Sequence, residues 1–192
     1  IATDAYAAGA LHGCAALPMC PCASADIIYA VDVSYSMDGP LSNCGATAKY
    51  EELVHDVTAR LIQQTFGAET VHEYGLRVAV VLFARDATVE MNFEGGHMHR
   101  ISTLQLPTNR PGPTRLGAML QTVREQLLNA SASTAVGFRD FQVPVHLIVL
   151  TDGQTIDQQG LLAELEHPIW QRTGSRAVSR TVVGISGSAF EL

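Results

Sequence analysis

Asp32-Val33-Ser34-Tyr35-Ser36 follows directly on the apolar run that starts at Asp26-Ile27-Ile28. A strand ending in Asp-x-Ser-x-Ser sets one carboxylate and two hydroxyls on a single tight loop. All three are hard oxygen donors, the kind that suit a small divalent cation. The triplet alone is also what an ordinary turn or helix cap looks like. Two later segments can supply further oxygens: Thr114, at a helix start after a Gly/Pro loop, and Asp152, at the end of the apolar strand Val145–Thr151. Mg²⁺ wants near-octahedral oxygen coordination and gives up its waters reluctantly. Three neutral hydroxyls, from Ser34, Ser36 and Thr114, with Asp32 and Asp152 acting through water, would leave such an ion under-neutralised. It would then have room for one outside ligand, and an Asp or Glu carboxylate from a protein partner is the natural candidate.

These residues need strands to carry them. Residues 26–33 form a continuous apolar run, as expected of a strand buried on both faces. Residues 47–66 follow a helical period, with Leu53, Val57, Leu61 and Ile62 on one stripe. Leu76 to Phe83 reads as a second strand, and Arg85-Asp86 as a tight connection to an antiparallel third over 87–93. Residues 97–113 read as loop with a short helix, stiffened by Asn109-Arg110-Pro111-Gly112-Pro113. Thr114 to Asn129 is helical in period. Val145 to Thr151 is a fourth strand, residues 156–172 are helical with a break at Pro168, and Val178 to Ile185 is a fifth strand. Strands alternating with helices predict a doubly wound α/β sheet, mostly parallel, with one antiparallel edge strand and helices on both faces. In such sheets ligands collect at the carboxyl ends of the strands, where Asp32 and Asp152 stand. If the first and fourth strands are neighbours, the two carboxylates converge.

Composition narrows the function. At 192 residues one domain with a full core is expected, and 47% hydrophobic with 16% charged residues is an ordinary globular balance. A net charge of −7 argues against nucleic acid as a partner. No apolar run is long enough for a membrane span. Lys49 is the one lysine beside eleven arginines, a bias read as genome composition. Residues 1–25 are rich in Ala, Cys and Pro and read as an extension preceding a domain over 26–192. The chain starts at Ile1, so a processed chain or a fragment is expected, and residues 7–17 lack the basic stretch of a signal peptide. Cys14, Cys20, Cys22 and Cys44 admit three pairings if all are bridged, and disulfides fit better than zinc, since no second Cys or His pair completes a site. Asn129-Ala130-Ser131 is a glycosylation acceptor sequence. These features lean towards an extracellular or cell-surface setting.

Other chemistries fit less well. A phosphatase using Asp-x-Asp needs a carboxylate where Ser34 stands. A serine hydrolase needs Gly-x-Ser-x-Gly, and Gly184-Ile185-Ser186-Gly187-Ser188 lacks the last glycine. His97-Met98-His99 reads as a solvated loop rather than a soft-metal site. No histidine falls at a strand end near the proposed crevice.

The pattern resembles the von Willebrand factor type A domain, the module also known as the inserted domain of integrins. That family's metal-ion-dependent adhesion site is Asp-x-Ser-x-Ser, then Thr, then Asp, which maps here onto Asp32, Ser34 and Ser36, then Thr114, then Asp152. Gly112-Pro113-Thr114-Arg115-Leu116-Gly117-Ala118-Met119-Leu120 resembles the family's Gly-x-Thr-x-x-Gly-x-x-Leu segment, and Val145 to Gly153 its fourth strand. The likeness covers about residues 26–188, with order and spacing in agreement. It implies Mg²⁺ (or Mn²⁺ or Ca²⁺) as the ion, a protein ligand presenting a carboxylate, adhesion-type binding and no catalysis. Two departures stand out. Tyr35 occupies a position where the family often has Gly, and the chain stops at Leu192, before the helix, sixth strand and final helix of the typical domain. A fold cut short, or completed by another polypeptide, is therefore expected. The alternative function is a structural building block of a larger extracellular assembly, contacting neighbouring subunits, with the metal site vestigial or merely stabilising.

Overall fold

A computed structural model of the chain describes residues 25–38, 77–93, 112–129, 143–151, 155–172 and 178–184, apart from the side chains of Ser36 and Asp38. Five strands, β1 (Asp26–Asp32), β2 (Arg77–Phe83), β3 (Ala87–Met91), β4 (Val145–Thr151) and β5 (Val178–Gly184), form one sheet in the order β3-β2-β1-β4-β5. All neighbours are parallel except β2 and β3. The fold is thus the expected mixed α/β sheet with an antiparallel edge, and β1 and β4 are neighbours.

The sequence explains why β1 sits centrally. Its side chains are buried without alternation, and only a strand covered on both faces tolerates that pattern. One face carries Ile28, Ala30, Ala79, Val81, Leu147 and Val149, packed with Met119, Leu120 and Val123 of a helical segment. The opposite face carries Tyr29, Val31, Val80 and Leu82 in a second cluster. Burial of Tyr29 pushes its phenol up to about 12. By contrast β3 alternates between exposed and part-buried residues, as an edge strand does.

Helix α1 (Leu116–Thr122) runs on into a π-helical turn over Val123–Leu128, and α2 is Gln158–Leu165. Both pack on the same face of the sheet, with Leu161 and Leu165 of α2 joining the cluster around Met119. The helix expected over 47–66 lies outside the described residues, as do residues 1–24 of the expected 1–25 extension and residues 97–111.

Element ends differ from expectation for local reasons. The third strand stops at Met91 rather than 93, because the Phe93 N–H bonds the Asn92 side-chain oxygen at 2.7 Å instead of the ladder. α1 starts at Leu116 rather than Thr114, since Arg115 is extended with φ −127° and ψ 92°. α2 occupies 158–165 of the expected 156–172. The residue before a proline disfavours helical geometry, and past Glu166 the chain turns, Trp170 N–H bonding His167 O at 2.9 Å. β5 is described over Val178–Gly184, and Ile185 of the expected strand lies outside the described residues.

At the amino end of β1, the Asp26 carboxylate receives Arg77 Nε at 2.8 Å and Arg77 Nη2 at 2.6 Å, a two-pronged pair. The same guanidinium lies 5.1 Å from the centre of the Phe93 ring. Among the described residues, no helix is long and apolar enough to cross a membrane.

Candidate functional site

Parallel pairing of β1 with both β2 and β4 brings three carboxyl ends to one edge of the sheet. Asp32 is the last residue of β1 and Thr151 the last of β4. The Thr151 hydroxyl donates to Asp32 Oδ2 at 2.6 Å. Asp32 Oδ1 accepts the Ser34 N–H at 2.9 Å, closing a turn that folds Ser34 back over the strand end. The Thr114 hydroxyl donates to Asp32 Oδ2 at 3.3 Å and lies 2.7 Å from Ser34 Oγ. Two hydroxyls separated by 80 residues in sequence therefore meet over one carboxylate.

Backbone bonds hold the Thr114 segment from three sides. Tyr35 N–H donates to Gly112 O at 3.3 Å, Arg115 N–H to Ala84 O at 3.0 Å, and Ile156 N–H to Thr114 O at 3.1 Å. Gly112 is required where this segment passes the β2–β3 turn: its φ is +154°, and a Cβ there would stand 2.8 Å from Arg85 Cβ.

The cluster is dry. Asp32 and Thr151 are 0% exposed and Ser34 and Thr114 2% each, so these oxygens must be satisfied within the site. The donor set fits a hard divalent cation. Two adjacent ligands on an octahedron with Mg–O bonds of 2.0–2.1 Å stand about 2.9 Å apart, close to the 2.7 Å between Ser34 and Thr114. An ion seated there would take the place of the hydroxyl–hydroxyl hydrogen bond. Among the described residues no three His, Cys, Asp or Glu side chains cluster. The described oxygens at this edge are the Asp32 carboxylate and the hydroxyls of Ser34, Thr114 and Thr151.

Of the predicted site residues, Asp32, Ser34 and Thr114 come together. Ser36 lies in the 3₁₀ turn Tyr35–Asp38, opened by Met37 N–H donating to Ser34 O at 3.1 Å. Its side chain is outside the description. Asp152, next in sequence to Thr151, also lies outside the described residues, as do Cys14, Cys20, Cys22, Cys44 and His97-Met98-His99. Asn129 is exposed, just past the π-helical turn. Tyr35 is 59% exposed at the rim.

Sequence reasoning missed Thr151, Thr155 and Asp157. Thr151 reads as the end of an apolar strand, yet a hydroxyl beside a proposed ligand was a usable signal. Thr155 accepts the Leu116 N–H at 3.2 Å, and Asp157 Oδ2 accepts the Ala118 N–H at 3.2 Å. Farther from the site, Arg124 pairs with Glu164, which also accepts Trp170 Nε1–H at 3.2 Å. Burial pushes the Glu164 carboxyl up, but the Arg124 and Trp170 hydrogen bonds and the Arg124 charge outweigh it and hold it below the usual range. That hydrogen bond in turn raises the guanidinium of Arg124.

The model of the von Willebrand factor type A domain matches residues 26–191. No curated protein matches the chain. Solved structures of similar fold include an aerotolerance-related membrane protein from Bacteroides fragilis carrying multiple mutations to serine. It is 18% identical with TM-score 0.56, over 84% of this chain and 67% of that one. Proximal thread matrix protein 1 from the mussel byssus, with a zinc-occupied MIDAS motif, is 20% identical with TM-score 0.55, over 84% of this chain and 35% of that one. The manganese-loaded TRAP protein of Plasmodium vivax is 15% identical with TM-score 0.56, over 88% of this chain and 60% of that one. At these identities the likeness is one of fold. This chain spans about a third of the mussel protein's length.

Proposed function

The chain belongs to the von Willebrand factor type A domain family, whose domains are generally protein-interaction modules, and from that premise we propose that it binds a protein partner through a divalent cation and catalyses no reaction. One observation carries this reading: the hydroxyls of Ser34 and Thr114 stand 2.7 Å apart over the buried carboxylate of Asp32. Ser34, Ser36 and Thr114 would be the direct ligands. Asp32, already accepting the Ser34 N–H and the Thr114 and Thr151 hydroxyls, would orient them and act through water, and Asp152 would act in the same way. When bound, Mg²⁺ (or Mn²⁺ or Ca²⁺) would supply positive charge and an open coordination position for a partner's Asp or Glu carboxylate. The metal-loaded state of two proteins with this fold supports the reading. It carries with it an extracellular or cell-surface setting, with residues 1–25 as a Cys-rich extension to the domain over 26–192.

Calorimetric titration of Mn²⁺ into the full chain tests it. One site is expected, lost in Ser34→Ala and in Asp152→Ala while both variants stay folded. Undiminished affinity in both removes the proposal. Excess acetate added to the Mn²⁺-loaded protein should displace a bound water and lower water-proton relaxation, and no change would remove the bridging carboxylate.

A second function, as a building block of a larger assembly, is favoured by β5. Val182 and Val183 are 37% and 41% exposed on this edge strand, beside a cavity of about 450 Å³ lined by Met119, Leu120, Leu147, Leu161 and Val182. Sedimentation separates the two: a monomer at high concentration counts against the assembly role.

A further inference from the structure

Helix α1 has no cap of its own. Arg115 precedes it and makes no side-chain capping hydrogen bond, although the first N–H groups of any helix lack intrahelical acceptors. The acceptors come from the segment leading into α2. Thr155 Oγ1 takes the Leu116 N–H and Asp157 Oδ2 takes the Ala118 N–H, each at 3.2 Å. Asp157 stands at the N-cap position of α2, where an aspartate ordinarily caps its own helix. It makes no such bond there. Its Oδ1 instead accepts the Thr155 hydroxyl at 2.5 Å, and Arg115 Nε lies 3.8 Å from Oδ2.

The two helices also touch through backbone. A Cβ on Gly117 would stand 2.6 Å from both Gly160 C and Leu161 N. No side chain fits between them, so α1 cannot shift without moving against α2. Thr114 is two residues ahead of α1, and its carbonyl is held by Ile156 N–H at 3.1 Å, between Thr155 and Asp157.

We infer that Thr155 and Asp157 are positioning residues for the cation seat: by capping α1 from the segment that leads into α2 they hold the Thr114 hydroxyl against Ser34, so that ion affinity depends on a carboxylate engaged with a helix N–H group. This role rests on the cation-binding reading above. Near-ideal octahedral geometry makes Mg²⁺ and similar ions sensitive to a displaced ligand, and an uncapped helix start opens more readily.

The test uses the full chain with Mn²⁺ as the probe. Asp157→Ala should weaken Mn²⁺ binding about tenfold, and in metal-free protein should speed amide exchange at Leu116 and Ala118 by about tenfold, leaving β1 and β4 amides unmoved. Asp157→Asn, which keeps an oxygen for the Ala118 N–H, should recover most of both. Unchanged exchange in Asp157→Ala overturns the cap whether or not an ion binds. Faster exchange with unaltered Mn²⁺ affinity overturns the positioning role. If the unmodified chain binds no Mn²⁺, the cation reading falls and this role with it, while exchange still reports the cap alone. Should Asp157→Ala lose protection across β1 and β4, Thr155→Val makes the same comparison with a smaller change.

Discussion

Strand β1 carries a buried aspartate at each end, and the two are treated differently. Asp26, at the amino end, is met by both nitrogens of the Arg77 fork at 2.8 and 2.6 Å. Asp32, at the carboxyl end, is met by the N–H of Ser34 and the hydroxyls of Thr114 and Thr151. A guanidinium is a permanent cation fixed by its own side chain, so the first end is a finished ion pair that ties β1 to β2. Hydroxyls are small, neutral and free to rotate their protons, and each can turn a lone pair to an arriving cation. The contrast separates a carboxylate that stabilises a fold from one that organises ligands.

The contrast can be broken by exchanging the roles. Asp26→Ala leaves the Arg77 charge without this partner and should lower the unfolding free energy by about 3 kcal/mol, read by urea denaturation. The folded fraction should bind Mn²⁺ as before. Asp32→Asn should do the reverse, weakening Mn²⁺ about 100-fold, or about 2.7 kcal/mol, at a stability cost of about 1 kcal/mol. Were Asp26→Ala to lower ion affinity as strongly, the division between the two ends would be wrong. Thr151→Val sharpens the picture, because it removes one hydroxyl from Asp32 without touching Ser34 or Thr114. About 1 kcal/mol of stability and a several-fold loss of Mn²⁺ affinity are expected.

The smallest effect concerns the remote Arg124–Glu164 pair. The folded-state Glu164 is held below its ordinary value, so its contribution is present above that ordinary value and is lost as pH falls through the lowered one. A screened pair of this kind is worth about 0.5 kcal/mol. Thermal melts of Glu164→Gln should therefore differ from the parent at neutral pH and converge with it in strong acid, while Mn²⁺ affinity is unaltered.

Much of this was legible in the residues. The unbroken apolar runs of β1 and β4 announce strands buried on both faces, and their polar ends mark where a ligand edge must be. Thr114 stood out because a Gly/Pro loop before a helix start fixes a hydroxyl in place. Three things escaped. Thr151 hid in a strand whose other residues are apolar, since its importance arises only from the β1–β4 pairing. Asp157 read as part of the helix expected over 156–172 and Thr155 drew no reading, whereas their acceptors serve a helix 39 residues earlier. Local patterns report local caps, and a cap that crosses between helices leaves no periodic trace. The π-helical turn at Val123–Leu128 was invisible for a related reason, because apolar spacing alone does not distinguish it from the helix it continues.

The most direct measurement is an anomalous difference map from crystals of the full chain soaked in Mn²⁺. A single strong peak is predicted within about 2.2 Å of both Ser34 Oγ and Thr114 Oγ1, with Asp32 behind it and no peak beside Asp26. A map without density between those two hydroxyls, or with the ion held elsewhere, would contradict the account.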